Sequence, residues 1–130
     1  MCIRDSYICS VDIDPTCEPI ATMMNKIEEI DGKFRAITSD MCTVPINGSV
    51  VINTSCEHIT QQQYELWLSR IPKDSIIVLQ SNNYKIPEHT RIAQSLEEFK
   101  QQSLLDELWT GSLKTQLYDR WMIIGKKKLL

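Results

Sequence analysis

The run Tyr-Ile-Cys-Ser-Val-Asp-Ile-Asp-Pro at Tyr7–Pro15 limits the folds open to this chain more than any other stretch. It reads as a buried strand over Tyr7 to Ile13 that delivers two carboxylates, Asp12 and Asp14, to the start of a helix. Asp14 is suited to cap that helix and Pro15 to take its first position. Ile20, Met23, Met24, Ile27 and Ile30 then fall on one helical face, and Gly32 stops the helix. A strand feeding straight into a helix is half of a β-α-β unit, which points to a mainly parallel sheet.

The rest of the chain repeats the alternation. A second strand is expected at Phe34 to Thr38 and a third at Ser49 to Asn53. Thr60 and Gln63 form a capping box, and Tyr64, Trp67, Leu68 and Ile71 line the buried side of the helix it opens, which Pro72 ends. A fourth strand, Ser75 to Gln80, is almost wholly apolar and is therefore expected at the centre of the sheet. Ser95 with Glu98 makes a second capping box ahead of Leu96 and Phe99. Thr115 to Tyr118 and Arg120 to Gly125 read as two short strands with almost nothing between them, so a hairpin must join them and the last strand must be antiparallel. The fold class is α/β: a Rossmann-like, mainly parallel sheet with helices on both faces and a C-terminal hairpin.

Composition narrows the function classes. Of 130 residues, 42% are hydrophobic and 24% charged, a balance that suits a folded domain and argues against disorder. No apolar run approaches the length of a membrane span, and no charged-then-apolar segment opens the chain, so a cytoplasmic protein without membrane contact is expected. The net charge is −3 and the one basic cluster, Lys126–Lys128, sits at the end, so no nucleic-acid partner is indicated. Five cysteines, Cys2, Cys9, Cys17, Cys42 and Cys56, contain no C-x-x-C and read as reduced, packed thiols.

In an open parallel sheet, ligands sit at the carboxyl ends of the strands. Here those ends release Asp12 and Asp14, then Asp40, then Asn53 with Glu57 and His58, then Asn82, Asn83 and Tyr84. A carboxylate there can accept hydrogen bonds from two neighbouring ribose hydroxyls. The alternative is that Asp14 is only a helix cap and Asp12 a solvated edge residue.

These residues resemble the class I S-adenosylmethionine-dependent methyltransferases. The resemblance is carried by Val11–Pro15, Thr38–Met41, Val50–Ile59, Ile76–Tyr84 and Arg120–Lys126, which appear in the family's order and cover nearly all the chain. It implies S-adenosyl-L-methionine as cofactor, with Asp12 on the ribose hydroxyls and Ile13 and Asp14 nearby. Asp40 would face the adenine amino group and Met41 an adenine ring nitrogen. Asn53, Thr54 and Ser55 would line the methionine side. Glu57 and His58 would border the methyl acceptor as candidate catalytic groups, and Asn82, Asn83 and Tyr84 would touch that acceptor, a small molecule or a protein side chain.

The family's first strand and glycine-rich turn have no counterpart. A domain over 7–130 that lacks its first strand is therefore expected, with Met1–Ser6 a non-native leader. In the family's strand order, 3-2-1-4-5-7-6, the absent strand is the central one. Its two neighbours would either pair directly or stay one strand apart.

Other readings remain open at this point. His58 either deprotonates an acceptor or only anchors its loop. Cys56 with His58 could make a thiol nucleophile, and Cys42, Cys56, His58 and His89 could bind a metal, but neither spacing matches a known pattern and no metal site is expected. A nicotinamide-dependent oxidoreductase also uses an acidic strand end for ribose, and a non-catalytic Rossmann-like nucleotide-binding module is the alternative outside enzymes.

Overall fold

The computed structural model describes residues 6–128; of the expected leader only Ser6 falls among them, and Cys2 lies outside. Contacts gather the chain into two compact units, one ending at Val44 and the other beginning at Pro45.

The first unit contains β1 (Ile8–Asp12), α1 (Cys17–Met24), α2 (Lys26–Ile30) and β2 (Phe34–Thr38). The two strands pair in parallel from Ile8 opposite Phe34 to Asp12 opposite Thr38, with the helices as the crossover that parallel pairing requires. Three expectations are corrected here. Pro15 lies in a turn and α1 starts at Cys17; the Asp14 carboxylate organises that turn by accepting from Thr16 N at 2.9 Å and Thr16 Oγ1 at 2.8 Å. The single helix is two, broken at Asn25, whose backbone leaves the helical region at φ −119°, ψ 35° while its backbone N–H and side-chain amide both donate to Ala21 O, at 3.1 and 2.9 Å. Finally, β1 is exposed along its whole length, and so are Ile20, Met23, Met24, Ile27 and Ile30. The sheet has two strands, so β1 has a partner on one edge only, and α1 packs mainly on β2. Gly32, at φ +72°, ends α2 as expected.

The second unit contains β3 (Val50–Asn53), a 3-10 turn (Cys56–His58), α3 (Gln61–Ser69), β4 (Ile76–Asn82), α4 (Leu96–Ser103), β5 (Leu105–Lys114) and β6 (Asp119–Lys127), with sheet order β3-β4-β6-β5. β3 and β4 are parallel; β6 runs antiparallel to both its neighbours, as expected of the last strand. β4 lies between β3 and β6, the internal position its apolar sequence implied; Ile77 and Leu79 are fully buried on one face, while Ile76 and Val78 on the other are half-buried. The Thr60–Gln63 capping box is complete, and α3 buries Tyr64, Trp67 and Leu68.

The second box is half formed. Ser95 accepts from Glu98 N at 3.1 Å, while Glu98 Oε2 takes Gln94 N at 2.7 Å instead of the amide of Ser95. The hairpin is present with different bounds. Thr115–Tyr118, expected as a strand, is the turn itself, closed by Thr115 N on Tyr118 O at 2.9 Å. The preceding strand is β5, whose mostly exposed residues show little alternation to betray it. β1 and β3, the two strands expected to pair directly or stay one strand apart, belong to different units, and each is an edge strand of its own sheet.

Candidate functional site

One local device recurs at the carboxyl ends of the parallel strands. Asp12 Oδ1 accepts from Asp14 N at 2.9 Å, Asp40 Oδ1 from Cys42 N at 2.8 Å, Asn53 Oδ1 from Ser55 N at 2.9 Å, and Asn82 Oδ1 from Tyr84 N at 3.0 Å. Each is a side chain bonding the backbone two residues on, which turns the chain out of the strand without a glycine.

In the first unit, Asp12 ends β1 and its carbonyl accepts from Ser39 N at 3.0 Å, which ties the two strand exits together. Ile13 projects into solvent, 70% exposed. The two bonds from Thr16 hold the Asp14 carboxyl below the usual carboxylate range. Partial desolvation and the nearby charge of Asp12 push the Cys17 thiol up, so this cysteine stays protonated. Asp40 also accepts at its carbonyl, from Thr43 N and Val44 N, both at 3.1 Å, with the half-buried Met41 inside that turn.

In the second unit, Asn53 is buried at the end of β3, and Thr54 and Ser55 lie exposed beyond it. Cys56 is fully buried; burial pushes its thiol up to about 12, which removes the thiol-nucleophile reading. Glu57 is buried, and its Oε1 lies 3.6 Å from His58 Nε2. His58 Nδ1 contacts Glu88 O at 3.1 Å, so the loop after β4 closes over this turn. Asn83 Oδ1 accepts from Asp119 N at 2.8 Å and joins β4 to β6, while the Tyr84 ring stacks on Tyr118 at 5.1 Å between centroids.

Two residues matter more than the sequence suggested. Arg91 is buried: its Nε and Nη2 donate to Cys56 O at 3.3 and 3.1 Å, its Nη1 to Gln61 Oε1, and its guanidinium lies 4.7 Å over the Tyr64 ring. Its backbone amide donates to Glu57 O at 3.1 Å, so one residue clamps the whole Cys56–His58 turn. His89 stands against His58 with ring centroids 4.7 Å apart. Both belong to the irregular loop between β4 and α4, where no spacing rule predicts which partner a side chain will meet. A surface concavity of about 410 Å³ is lined by Gln61, Arg91, Glu98, Gln101 and Gln102 and includes none of the expected cofactor residues.

No protein-family model matches the chain, and no curated protein matches it. Solved structures do. Magnesium protoporphyrin IX methyltransferase from Synechocystis PCC 6803 with bound SAH is 12% identical with a TM-score of 0.68, over 94% of this chain and 64% of that one. N-methyltransferase NodS from Bradyrhizobium japonicum WM9, in complex with S-adenosyl-l-homocysteine, is 9% identical at TM-score 0.70, over 93% and 66%. Geranyl diphosphate C-methyltransferase from Streptomyces coelicolor A3(2), in complex with Mg2+, geranyl-S-thiolodiphosphate and S-adenosyl-L-homocysteine, is 10% identical at TM-score 0.73, over 95% and 62%. The chain spans just under two thirds of the length of these proteins. The fold is that of the class I methyltransferases.

Proposed function

We propose that this chain carries the nucleoside-binding and acceptor-side strands of an S-adenosyl-L-methionine-dependent methyltransferase. The observation that carries this reading is the fold likeness over 93–95% of the chain to methyltransferases whose acceptors differ widely. Polar residues at four successive strand ends, where ligands sit in open parallel sheets, add support.

Methyl transfer is an in-line displacement at a sulfonium carbon, so the protein must chiefly align donor and acceptor and exclude water. Asp12 would take the ribose hydroxyls: its Asx bond uses one of about four acceptor sites on a carboxylate. Asp40 and Met41 would take the adenine edge, and Asn53, Thr54 and Ser55 the methionine side. The acceptor would be a small molecule or a protein group touching Asn82, Asn83 and Tyr84, with His58 or Glu57 receiving its proton. The cofactor supplies the methyl group.

None of the four glycines at 32, 48, 111 and 125 stands between a strand and the helix that follows it, so the described residues hold no glycine-rich approach to the methionine moiety. Binding is therefore expected to depend on the nucleoside. Calorimetric titration of the purified chain should give similar affinities for methylthioadenosine and S-adenosylhomocysteine, within about threefold, and Asp12→Ala should lower both at least tenfold. Tighter binding of a nicotinamide dinucleotide, or equal affinity in the Asp12 variant, refutes the proposal.

A further inference from the structure

Glu57, His58 and His89 place one candidate ligand atom each within 4.8 Å of the other two, drawing on the turn after β3 and the loop after β4. Both imidazoles are oriented the same way. His58 Nδ1 sits 3.1 Å from Glu88 O, and His89 Nδ1 sits 2.7 Å from Tyr84 O. A carbonyl only accepts, so each Nδ1 carries a proton, and in the neutral imidazole each Nε2 carries the lone pair. That is the arrangement by which proteins fix the tautomer and angle of a metal-bound histidine.

Glu57 adds an independent sign. Its side chain is 10% exposed, Oε1 points to His58 Nε2, and Oε2 is buried with no hydrogen-bond partner. A buried carboxylate oxygen left unpaired is costly and calls for a positive partner. Arg91, the nearby cation, spends its guanidinium on Cys56 O, Gln61 and the Tyr64 ring. Two imidazoles and a buried carboxylate, one oxygen of which has no hydrogen-bond partner, thus converge.

We propose that Glu57, His58 and His89 form a divalent-cation site of the two-histidine, one-carboxylate kind. The donor set suits Zn2+, Co2+ or Fe2+ better than Mg2+ or Ca2+, which prefer oxygen alone. Metal–nitrogen distances of about 2.1 Å bring donors to roughly 3 to 3.5 Å of one another, so the widest separation, up to 4.8 Å, closes by about 1.3 to 1.8 Å on loading. His58, half exposed, has room to make that movement. Cys56 is no ligand, because its sulfur is buried against Asn53 O at 3.6 Å. Three protein ligands leave a coordination position for water or an acceptor oxygen. A bound cation would take Glu57 and His58 out of the proton-accepting role proposed above, but cation binding itself requires only the metal and can be tested without the cofactor.

Zn2+ titrated calorimetrically into the purified chain at neutral pH, with Cys2, Cys9, Cys17 and Cys42 replaced by serine, should bind at one ion per chain. Co2+ should then give the strong visible absorption of a four- or five-coordinate ion, and Mg2+ should not compete. Glu57→Gln and His89→Gln should each weaken Zn2+ binding at least tenfold. Glu57→Gln removes the buried charge and should fold at least as well as the parent without metal. Zn2+ should raise the melting temperature of the parent and leave that of Glu57→Gln unchanged. Failure of the four-serine protein to bind Zn2+ below about 1 mM, or unchanged affinity in both variants, overturns the proposal.

Discussion

Replacing Arg91 with methionine keeps the aliphatic stem in place and removes the guanidinium, which tests the clamp on the Cys56–His58 turn. The change leaves Cys56 O without its two charged donors, Gln61 without Nη1, and the Tyr64 ring without its cation. A hydrogen bond to a charged group contributes about 1.5–3 kcal/mol and a cation–π contact about 1 kcal/mol. Against that stands the relief of desolvation, since burial pulls the Arg91 pKa down. The net loss is about 2–3 kcal/mol. All three tryptophans, Trp67, Trp109 and Trp121, lie in the second unit, so intrinsic fluorescence reports its unfolding alone. With a urea slope of about 1.5 kcal/mol per molar, the fluorescence midpoint should fall by about 1.5–2 M. Arg91→Lys should recover only part of the loss, because a point charge cannot reach both oxygens. A midpoint within about 0.3 M of the parent refutes the clamp.

Gly125→Ala should cost about 2–3 kcal/mol in the same urea assay, because the added Cβ would lie 2.5 Å from Asp106 O, a backbone atom that cannot step aside. Gly111→Ala should cost under about 1 kcal/mol, since its Cβ would meet only the ring of the half-exposed Trp109, which can swing away. Leu104, at φ +57° after α4 and 37% exposed, should be stabilised about 0.5–1 kcal/mol by glycine; a lower midpoint would mean its side chain matters more than its backbone. Iodoacetamide should label the exposed Cys9 quickly and Cys56 only on unfolding, as mapped by peptide mass spectrometry. The same thiol sets a pH dependence: the unfolded chain releases its proton near 9 and the folded chain near 12. That stability is present below pH 9 and is lost as pH rises toward 12, by up to about 1.4 kcal/mol per unit. A Cys56→Ala protein should show a shallower alkaline slope in pH-jump urea melts.

The legible parts of this fold are those where one local rule suffices. Phe34–Thr38 is a strand with the bounds its composition implied, and Thr60 with Gln63 makes the full capping box its spacing required. The rules failed where two local rules compete or where a partner is distant. At Asn25, a residue of low helix propensity, the backbone leaves the helical region and the apolar periodicity runs on across two helices. At Thr115 a hydroxyl closing on Tyr118 made a turn of residues whose composition favours a strand. The Arg91 clamp and the place of Glu57 beside His58 and His89, two residues the sequence grouped only with Cys42 and Cys56, were illegible for the second reason: each joins the turn after β3 to a loop beyond β4, and no spacing in the chain encodes that meeting.

The strand ends show why turn-forming and ligand-binding roles are compatible. A short acidic or amide side chain at a strand exit bonds the amide two residues on, and this fixes its rotamer before any ligand arrives. The bond occupies one acceptor site; Asp12 and Asp40 keep further carboxylate capacity, while Asn53 and Asn82 keep an amide donor group. A side chain so held loses little entropy on binding, so its ligand contact is favoured by the same bond that makes it look merely structural. Asp14 Oδ1 accepts both bonds from Thr16 within one turn, whereas Asp12 Oδ1 accepts from Asp14 N and its carboxylate also meets the Cys17 thiol. The acidic pair differs in placement: Asp12 is the last residue of β1, and the Asx bond it makes to Asp14 N is what holds it there, while Asp14 lies beyond the strand in the turn that leads to α1.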